Sequence, residues 1–339
     1  MIHFCTYFDI NYIHKGIALY HSLVKTGQPF ILWILCFDEA TYNALEILRL
    51  PNVKLISEKD FEQDDKALLS AKASRSRVEY YWTCTPSLPL YIFRQNPSIN
   101  ILVYLDADMF FFSSPTAIID ELGEGSILIV PHDYAKEYEE HSASGIYNVG
   151  IMAFRRDTNG TNCLKWWRER CIEWCYWKHE NGKIGDQAYL NDWPDRFQNV
   201  VVCNNAGINA APWNVAKYGL KINEQGICII GTSPLVCFHF HACRICNSRL
   251  AFIAGFKTNI PTSCLSIIYR PYLQCLCRVE AMLSSYGMSL EIPKSGIPWR
   301  YIFGQIIRGK PLRHFLFMSR TENICEINYL APSKIGSHR

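Results

Sequence analysis

"ILVYLDADMFFFSSP", residues 101–115, is an apolar run fit for the centre of a sheet, yet it carries two carboxylates with only Ala107 between them. Side chains alternate between faces along a strand, so Asp106 and Asp108 are expected to project the same way. Two like charges side by side in a dry interior are unfavourable unless a cation or a hydrogen-bond network compensates them. A hard divalent ion such as Mn2+ or Mg2+ accepts carboxylate oxygens and keeps positions open for water or phosphate oxygens. The stretch therefore points to a metal site at a strand end.

Outward from this strand, the chain alternates apolar strands with helices. Residues 2 to 8 read as a buried strand, a helical pattern runs from about Tyr12 to Val24, and "FILWILCF" closed by Asp38 is a second strand. "ATYNALEIL" reads as a helix, "VKLIS" as a short strand and "FEQDDKALLSAKA" as a polar helix or loop. Pro86 and Pro89 make "YYWTCTPSLPLYIFRQ" irregular. After the Asp106 strand, a helix with Ser114 as N-cap and Pro115 at its first position precedes the strands "SILIVPHD" and "IYNVGIMAFRR". This alternation predicts an α/β fold with a mostly parallel sheet covered on both faces. Ligands of such sheets bind outside the carboxyl ends of the strands, where Asp9, Asp38, Asp106, Asp108 and Asp133 all fall.

A chain of 339 residues, 49% hydrophobic and 14% aromatic, can bury a large core. The 34 Lys and Arg against 31 Asp and Glu leave a net charge of only +3, too little for a dedicated nucleic-acid binder. The excess is local: Arg270 to Arg320 is rich in Arg and Lys mixed with bulky apolar residues. That pattern suits either contact with an anionic membrane surface or a helical cap with solvated arginines. A boundary near residue 255 separates a domain of residues 1–255 from a helical, basic extension of residues 256–339. "MIHFCTYFDI" has neither the basic segment nor the long apolar stretch of a signal peptide, and no uncharged apolar run reaches the roughly 18 residues of a membrane span. Fifteen cysteines scattered through apolar segments fit reduced core thiols, and with them a cytoplasmic location, peripheral at the membrane's inner face if the basic tail contacts lipid.

Further residues join the two aspartates. "VCFHFHA" is another apolar strand, ending in His239 and His241, and imidazole suits Mn2+ as a third ligand beside two carboxylates. "YNVGIMAF" and "GDQAYLNDWP" lie between, the latter a helix start with Asp186 and Gln187. Taken in order, the opening strand with "YFDINY", the Asp-Ala-Asp, the Asn-Val-Gly strand, the Gly-Asp-Gln helix and the late histidine resemble the GT-A glycosyltransferases. Within them they resemble the retaining, metal-dependent enzymes of the glycogenin and lipopolysaccharide galactosyltransferase type (family 8), over about residues 2 to 245.

The resemblance implies a nucleotide-diphosphate-sugar transferase with a GT-A fold. Asp106, Asp108 and His239 would hold the metal, Mn2+ or Mg2+, and Asp106 would also lie near the ribose or sugar hydroxyls. Asp9, Asn11 and Tyr12 would receive nucleobase and ribose, flanked by Thr6 and Tyr7. Asn148 and Gly150 would line the donor sugar. Asp186 would bind sugar hydroxyls, and Gln187 would lie beside the anomeric carbon. His241 would neighbour the diphosphate, and Arg244 would stand where relatives place a phosphate-binding Lys, with Arg249 and Lys257 as rivals. The implied partners are a nucleotide-sugar donor, most simply a UDP-sugar, and a saccharide or lipid-linked saccharide acceptor. The Arg of relatives' Tyr-x-Arg context is missing here, and Arg75 or Arg77 stands in its neighbourhood.

Plainer roles compete. Asp9 and Asn11 can form a turn and cap the following helix, Asn148 and Gly150 can mark a bend, and Gly185–Asp186 can cap a helix. Cys243 and Cys246 with the two histidines have a zinc-like spacing but lack a second pair. Trp166, Trp167, Trp174 and Trp177 at helical spacing fit core packing, as do Trp193, Trp213 and Asn214. "YAKEYEEHSASGIY" reads as a loop over the site. Rival functions are an inverting GT-A transferase with Asp133 or Asp186 as base, a nucleotidyltransferase, which lacks its Gly-rich loop here, and a non-catalytic carbohydrate-binding protein.

Overall fold

The computed structural model describes residues 1–288 except 64, 137, 139–143, 248–249 and 254–259, and in addition residues 315–321 and 324–328. Its strands are β1 (Ile2–Phe8), β2 (Phe30–Cys36), β3 (Val53–Ser57), β4 (Ile101–Leu105), β5 (Met109–Phe111), β6 (Ile127–Pro131), β7 (Tyr147–Arg155), β8 (Val200–Val202), β9 (Leu220–Ile222), β10 (Cys228–Ile230), β11 (Ser233–Pro234), β12 (Cys237–His239), β13 (Arg244–Asn247), β14 (Leu250–Phe252), β15 (Phe315–Thr321) and β16 (Ile324–Asn328). The helices are α1 (Ile13–Lys25), α2 (Glu39–Leu48), α3 (Glu58–Glu62), α4 (Lys66–Lys72), α5 (Arg77–Cys84), α6 (Ser87–Gln95), α7 (Thr116–Leu122), α8 (Thr158–Glu173), α9 (Trp193–Arg196), α10 (Val215–Tyr218), α11 (Thr262–Cys264) and α12 (Arg270–Ser285).

Seven strands form the central sheet in the order β3-β2-β1-β4-β7-β6-β8. Every neighbouring pair is parallel except those of β7, which runs antiparallel to both β4 and β6. Strand alternation divides the apolar residues between two cores: Val103 and Leu105 of β4 face one, Leu102 and Tyr104 the other. That two-sided burial is why β1, β2 and β4 read as continuous apolar runs. On one face α1 crosses β1 closely, since a Cβ on Gly16 would stand 2.1 Å from the Phe8 ring.

Several local expectations change. The segment from Tyr80 to Gln95 is two helices rather than irregular, because Pro86 occupies the N-cap of α6 and Pro89 lies in its first turn, where a missing N–H costs no helical bond. Pro115, not Ser114, is the N-cap of α7; the Ser114 hydroxyl instead accepts from the Thr116 amide at 3.3 Å. Beyond residue 255 the described part contains α12 and also strands β15 and β16, which continue β13 and β14 into a four-stranded antiparallel sheet. Val279 and Leu283 of α12 join the same core as α1. No helix of the described residues is long and apolar enough to cross a membrane. The cysteines whose side chains are described are free thiols, and most of them are buried.

Candidate metal and donor site

The two aspartates meet at a turn, not on a strand. β4 ends at Leu105, the chain turns through Asp106–Asp108, and β5 begins at Met109. The turn is closed by the Met109 amide donating to the Asp106 carbonyl at 3.1 Å and is tied to β7 by the Asp106 amide donating to the Gly150 carbonyl at 2.9 Å. His239 arrives from more than a hundred residues away because β12 pairs antiparallel with β5, opposing His239 to Met109. One donor atom from each of Asp106, Asp108 and His239 lies within 4.8 Å of the others. The imidazole Nε2 stands 3.2 Å from Asp108 Oδ1 and 3.6 Å from Asp106 Oδ2. His241 lies past the end of β12, so it does not share a strand face with His239; their ring centroids are 5.9 Å apart.

The fit of the triad to a divalent ion is tested by Gly150. A Cβ there would come within 2.6 Å of His239 Nδ1 and 2.5 Å of Asn148 Oδ1, so only glycine leaves room for the imidazole to aim Nε2 at both carboxylates. Two carboxylates and one imidazole are a donor set suited to Mn2+ or Mg2+.

Electrostatics separate the carboxyls. Burial pushes Asp108 up, but the Lys15 ammonium and the hydrogen bond with His239 more than offset it and hold the group well below the usual carboxylate range. Lys15, on α1, is 4% exposed and places Nζ 3.5 Å from Asp108 Oδ2; burial lowers its pKa, yet Asp108 raises it further. Asp106 is pushed up by burial, with Asp108 adding to this against the influence of His239. His239 is raised, since its bond to Asp108 and the two carboxylate charges outweigh burial.

Asp186 lies beside this centre, 6% exposed. Burial, with the charge of Asp106, pushes its carboxyl up to about 7, against a hydrogen bond from Thr85. Its side chain caps no helix; the Trp167 indole fixes it by donating to its backbone carbonyl at 2.9 Å. Thr85 also shares a hydrogen bond of 2.9 Å with Tyr7 OH, and Tyr104 OH donates to Asp106 Oδ1 at 2.8 Å. A buried set of hydroxyls thus flanks both carboxyls.

Gln187 follows Asp186 with its amide engaged: Nε2 donates to the Ser144 carbonyl at 2.8 Å, and Oε1 accepts from Asn148 Nδ2 at 3.3 Å and the Val149 amide at 3.4 Å. Asn148 Oδ1 accepts from the Gly150 amide at 2.9 Å, and its Nδ2 also faces His132 Nε2 at 3.3 Å. Burial holds His132 down to about 3, so this imidazole is neutral. The middle of the loop expected over the site, 139–143, lies outside the described residues.

At the neighbouring strand ends, Asp9 does form the expected cap, accepting from the Asn11 amide at 3.0 Å. Its other oxygen accepts from Tyr81 OH at 3.1 Å and lies 3.3 Å from Arg77 Nη2, which also reaches Asp38 at 3.2 Å. Arg77 is therefore the arginine at this edge, whereas Arg75 is drawn to Tyr176 and the Ile172 carbonyl. Asn11 and Tyr12 are exposed, and the Tyr12 ring lies 4.3 Å from Lys15 Nζ. Thr6 is fully buried, its hydroxyl without a hydrogen-bond partner among the described residues. Arg244, on β13, lays its guanidinium over the Phe252 ring; Arg249, Lys257 and the Cys246 side chain lie outside the described residues. Asp133 is paired with Lys217.

Lys15, Tyr104 and Thr85 were not singled out from the sequence, and Trp167 was expected only to pack in the core. Only Lys15 carries a visible signal, a lysine within the apolar run of α1.

No family model matches the chain. The uncharacterized protein YfnF of Bacillus subtilis (strain 168) is 32% identical over 249 residues, which are 71% of this chain and 82% of that protein. The chain belongs to the YfnF family. A second protein similar to the chain, the uncharacterized protein YfnD of the same strain, is 27% identical over 303 residues, covering 87% of the chain and 96% of YfnD. Membership of the YfnF family names no reaction. The fold does carry information: the crystal structure of the galactosyltransferase LgtC, in complex with donor and acceptor sugar analogs, is similar with a TM-score of 0.52 at 17% identity, covering 82% of this chain and 96% of LgtC. The YfnF-family chain thus has the GT-A glycosyltransferase fold, a mostly parallel seven-stranded sheet flanked by helices.

Proposed function

We propose that the protein is a metal-dependent glycosyltransferase that moves a hexose from a nucleotide-diphosphate sugar, a UDP-sugar in the simplest case, to a saccharide or lipid-linked saccharide, with retention of anomeric configuration. The observation that carries this is the convergence of Asp106 and Asp108, from the β4–β5 turn, with His239, from the end of β12, at the carboxyl edge of a GT-A sheet and within 4.8 Å. Asp106, Asp108 and His239 would hold Mn2+ or Mg2+, and the ion, when bound, supplies Lewis-acid stabilisation of charge on the departing diphosphate.

The chain's own residues do the rest. Asp9, Asn11 and Tyr12 offer the nucleoside an edge pinned by Arg77, with Tyr7 behind it and Thr6 buried alongside. Asp186, Asn148 and Gly150 enclose the space expected for the sugar, next to His239 and Asp106. A carboxyl poised near neutral pH in that space can accept or donate a hydrogen bond to a sugar hydroxyl as the ring flattens toward an oxocarbenium-like state. Gln187 is a poor nucleophile, which favours attack by the acceptor hydroxyl on the face the diphosphate leaves. The new C–O bond forms as the old one breaks, and the departing phosphate oxygen takes the acceptor's proton. His241, 5.7 Å from the Trp213 ring, stands on the diphosphate side in this scheme. The basic tail contributes lipid or acceptor contact.

A screen of UDP-, GDP- and dTDP-sugars tests the proposal. One donor class is expected to raise the melting temperature only with Mn2+ or Mg2+ and to be hydrolysed slowly. Stabilisation or turnover unchanged by EDTA overturns it. Inversion with Asp186 as base is a second reading, favoured by that same carboxyl near pH 7. NMR of the product anomer separates the two.

A further inference from the structure

The acidic pair already has a cation beside it. Lys15 is almost fully buried and divides Asp108 in two: Oδ2 faces the ammonium at 3.5 Å, while Oδ1 faces His239 Nε2 at 3.2 Å. Every residue of α1 from Ile13 to Tyr20 is buried, so the ammonium is held within the packed part of the helix. With Lys15 charged, the two carboxylates present a net charge of about −1 to an incoming ion, and one Asp108 oxygen is already spoken for. Diphosphate oxygens would supply what this arrangement withholds.

We propose that Lys15 is a positioning residue that keeps the metal-free site weak, so that a divalent ion is captured together with the anionic donor instead of before it. The ammonium neutralises one carboxylate, restrains Asp108 to a single outward oxygen and repels a lone dication. The same ammonium adds attraction once an anionic diphosphate shares the site. This rests on the metal and nucleotide-sugar assignment above and goes beyond it by setting the order and linkage of binding.

The test measures Mn2+ alone by the EPR signal of the free ion, with and without UDP, on the full chain. The wild-type protein is expected to bind Mn2+ at least about tenfold more tightly with UDP present. Lys15→Met is expected to bind Mn2+ without UDP at least about tenfold more tightly than wild type and to lose most of the linkage, whereas Lys15→Arg keeps wild-type behaviour. A merely structural lysine gives the opposite sign, since a disturbed site binds more weakly. Unchanged or weaker Mn2+ binding by Lys15→Met, with Asp108→Ala still abolishing binding, overturns the role of Lys15 and leaves the metal site standing. Mn2+ binding that survives Asp108→Ala removes the metal assignment and this inference with it. If Lys15→Met does not fold by circular dichroism, Lys15→Gln takes its place, and a wild-type linkage below about twofold is by itself enough to refute the proposal.

Discussion

Two pairs of aspartates stand at the same sheet edge and are treated in opposite ways. Asp9 and Asp38, at the ends of β1 and β2, share the exposed Arg77 guanidinium, and their oxygens also accept from backbone amides and from the hydroxyls of Tyr81 and Thr41. That pair is saturated. Asp106 and Asp108 have one amine at the back, one imidazole across and one tyrosine hydroxyl, and much of their acceptor capacity still points outward. Carboxylates that are satisfied hold a shape; carboxylates left short of partners in a partly buried place are where a ligand brings positive charge.

The largest way to break the contrast is Asp108→Ala. It removes a proposed metal ligand and strands a buried ammonium, so donor turnover is expected to fall at least about a thousandfold, with a stability loss on the order of 3 kcal/mol; the hydrolysis assay and a denaturant melt report the two. Gly150→Ala is next: its methyl would collide with His239 and Asn148. A loss of about 1–3 kcal/mol from overpacking and at least about tenfold weaker Mn2+ binding in the presence of UDP are expected. Retained binding would mean that His239 is not a ligand.

Asp186 sharpens the comparison through pH. Its folded-state pKa is raised to about 7 from an ordinary value of 3.8, so the native state holds a proton that the unfolded chain releases. The stability this gives is present below about pH 4 and is lost as pH rises through 7. The metal-free Asp186→Asn protein should show a flatter curve of melting temperature against pH over that window, the difference at pH 8 being on the order of 2 kcal/mol in its favour. Identical curves would show that the carboxyl titrates normally. The smallest effect belongs to the saturated pair: Arg77→Met removes an exposed bridge and is expected to cost under about 1 kcal/mol. Donor KM is expected to rise while kcat holds, checked by steady-state kinetics.

Much of this was legible in the residues. Apolar runs buried on both faces declared a parallel sheet, and acidic residues just past the strand ends marked the edge where Asp106, Asp108 and His239 come together. The triad was legible because Asp-x-Asp and a histidine closing an apolar strand are unusual in a core. The alternation argument for Asp106 and Asp108 reached the right pair by the wrong geometry, since a turn, not a pleat, turns them together. Lys15 and Tyr104 were hidden for a different reason: Lys15 meets Asp108 only once α1 packs against the sheet, and Tyr104 reaches Asp106, two residues on, only because the chain turns after Leu105, which strand periodicity does not encode. Arg75 and Arg77 could not be told apart before α5 fixed which one faced Asp9.

The pairing of β14 with β15 ties residues 315–321 to the part of the chain before residue 255 through backbone hydrogen bonds. Cutting the polypeptide after residue 255 would leave β14 as a bare sheet edge and uncover the α1 surface that Val279 and Leu283 seal. A shortened version of the protein is thus expected to self-associate rather than to stay monomeric, and strand β15 with helix α12 is better regarded as masonry than as an appendage.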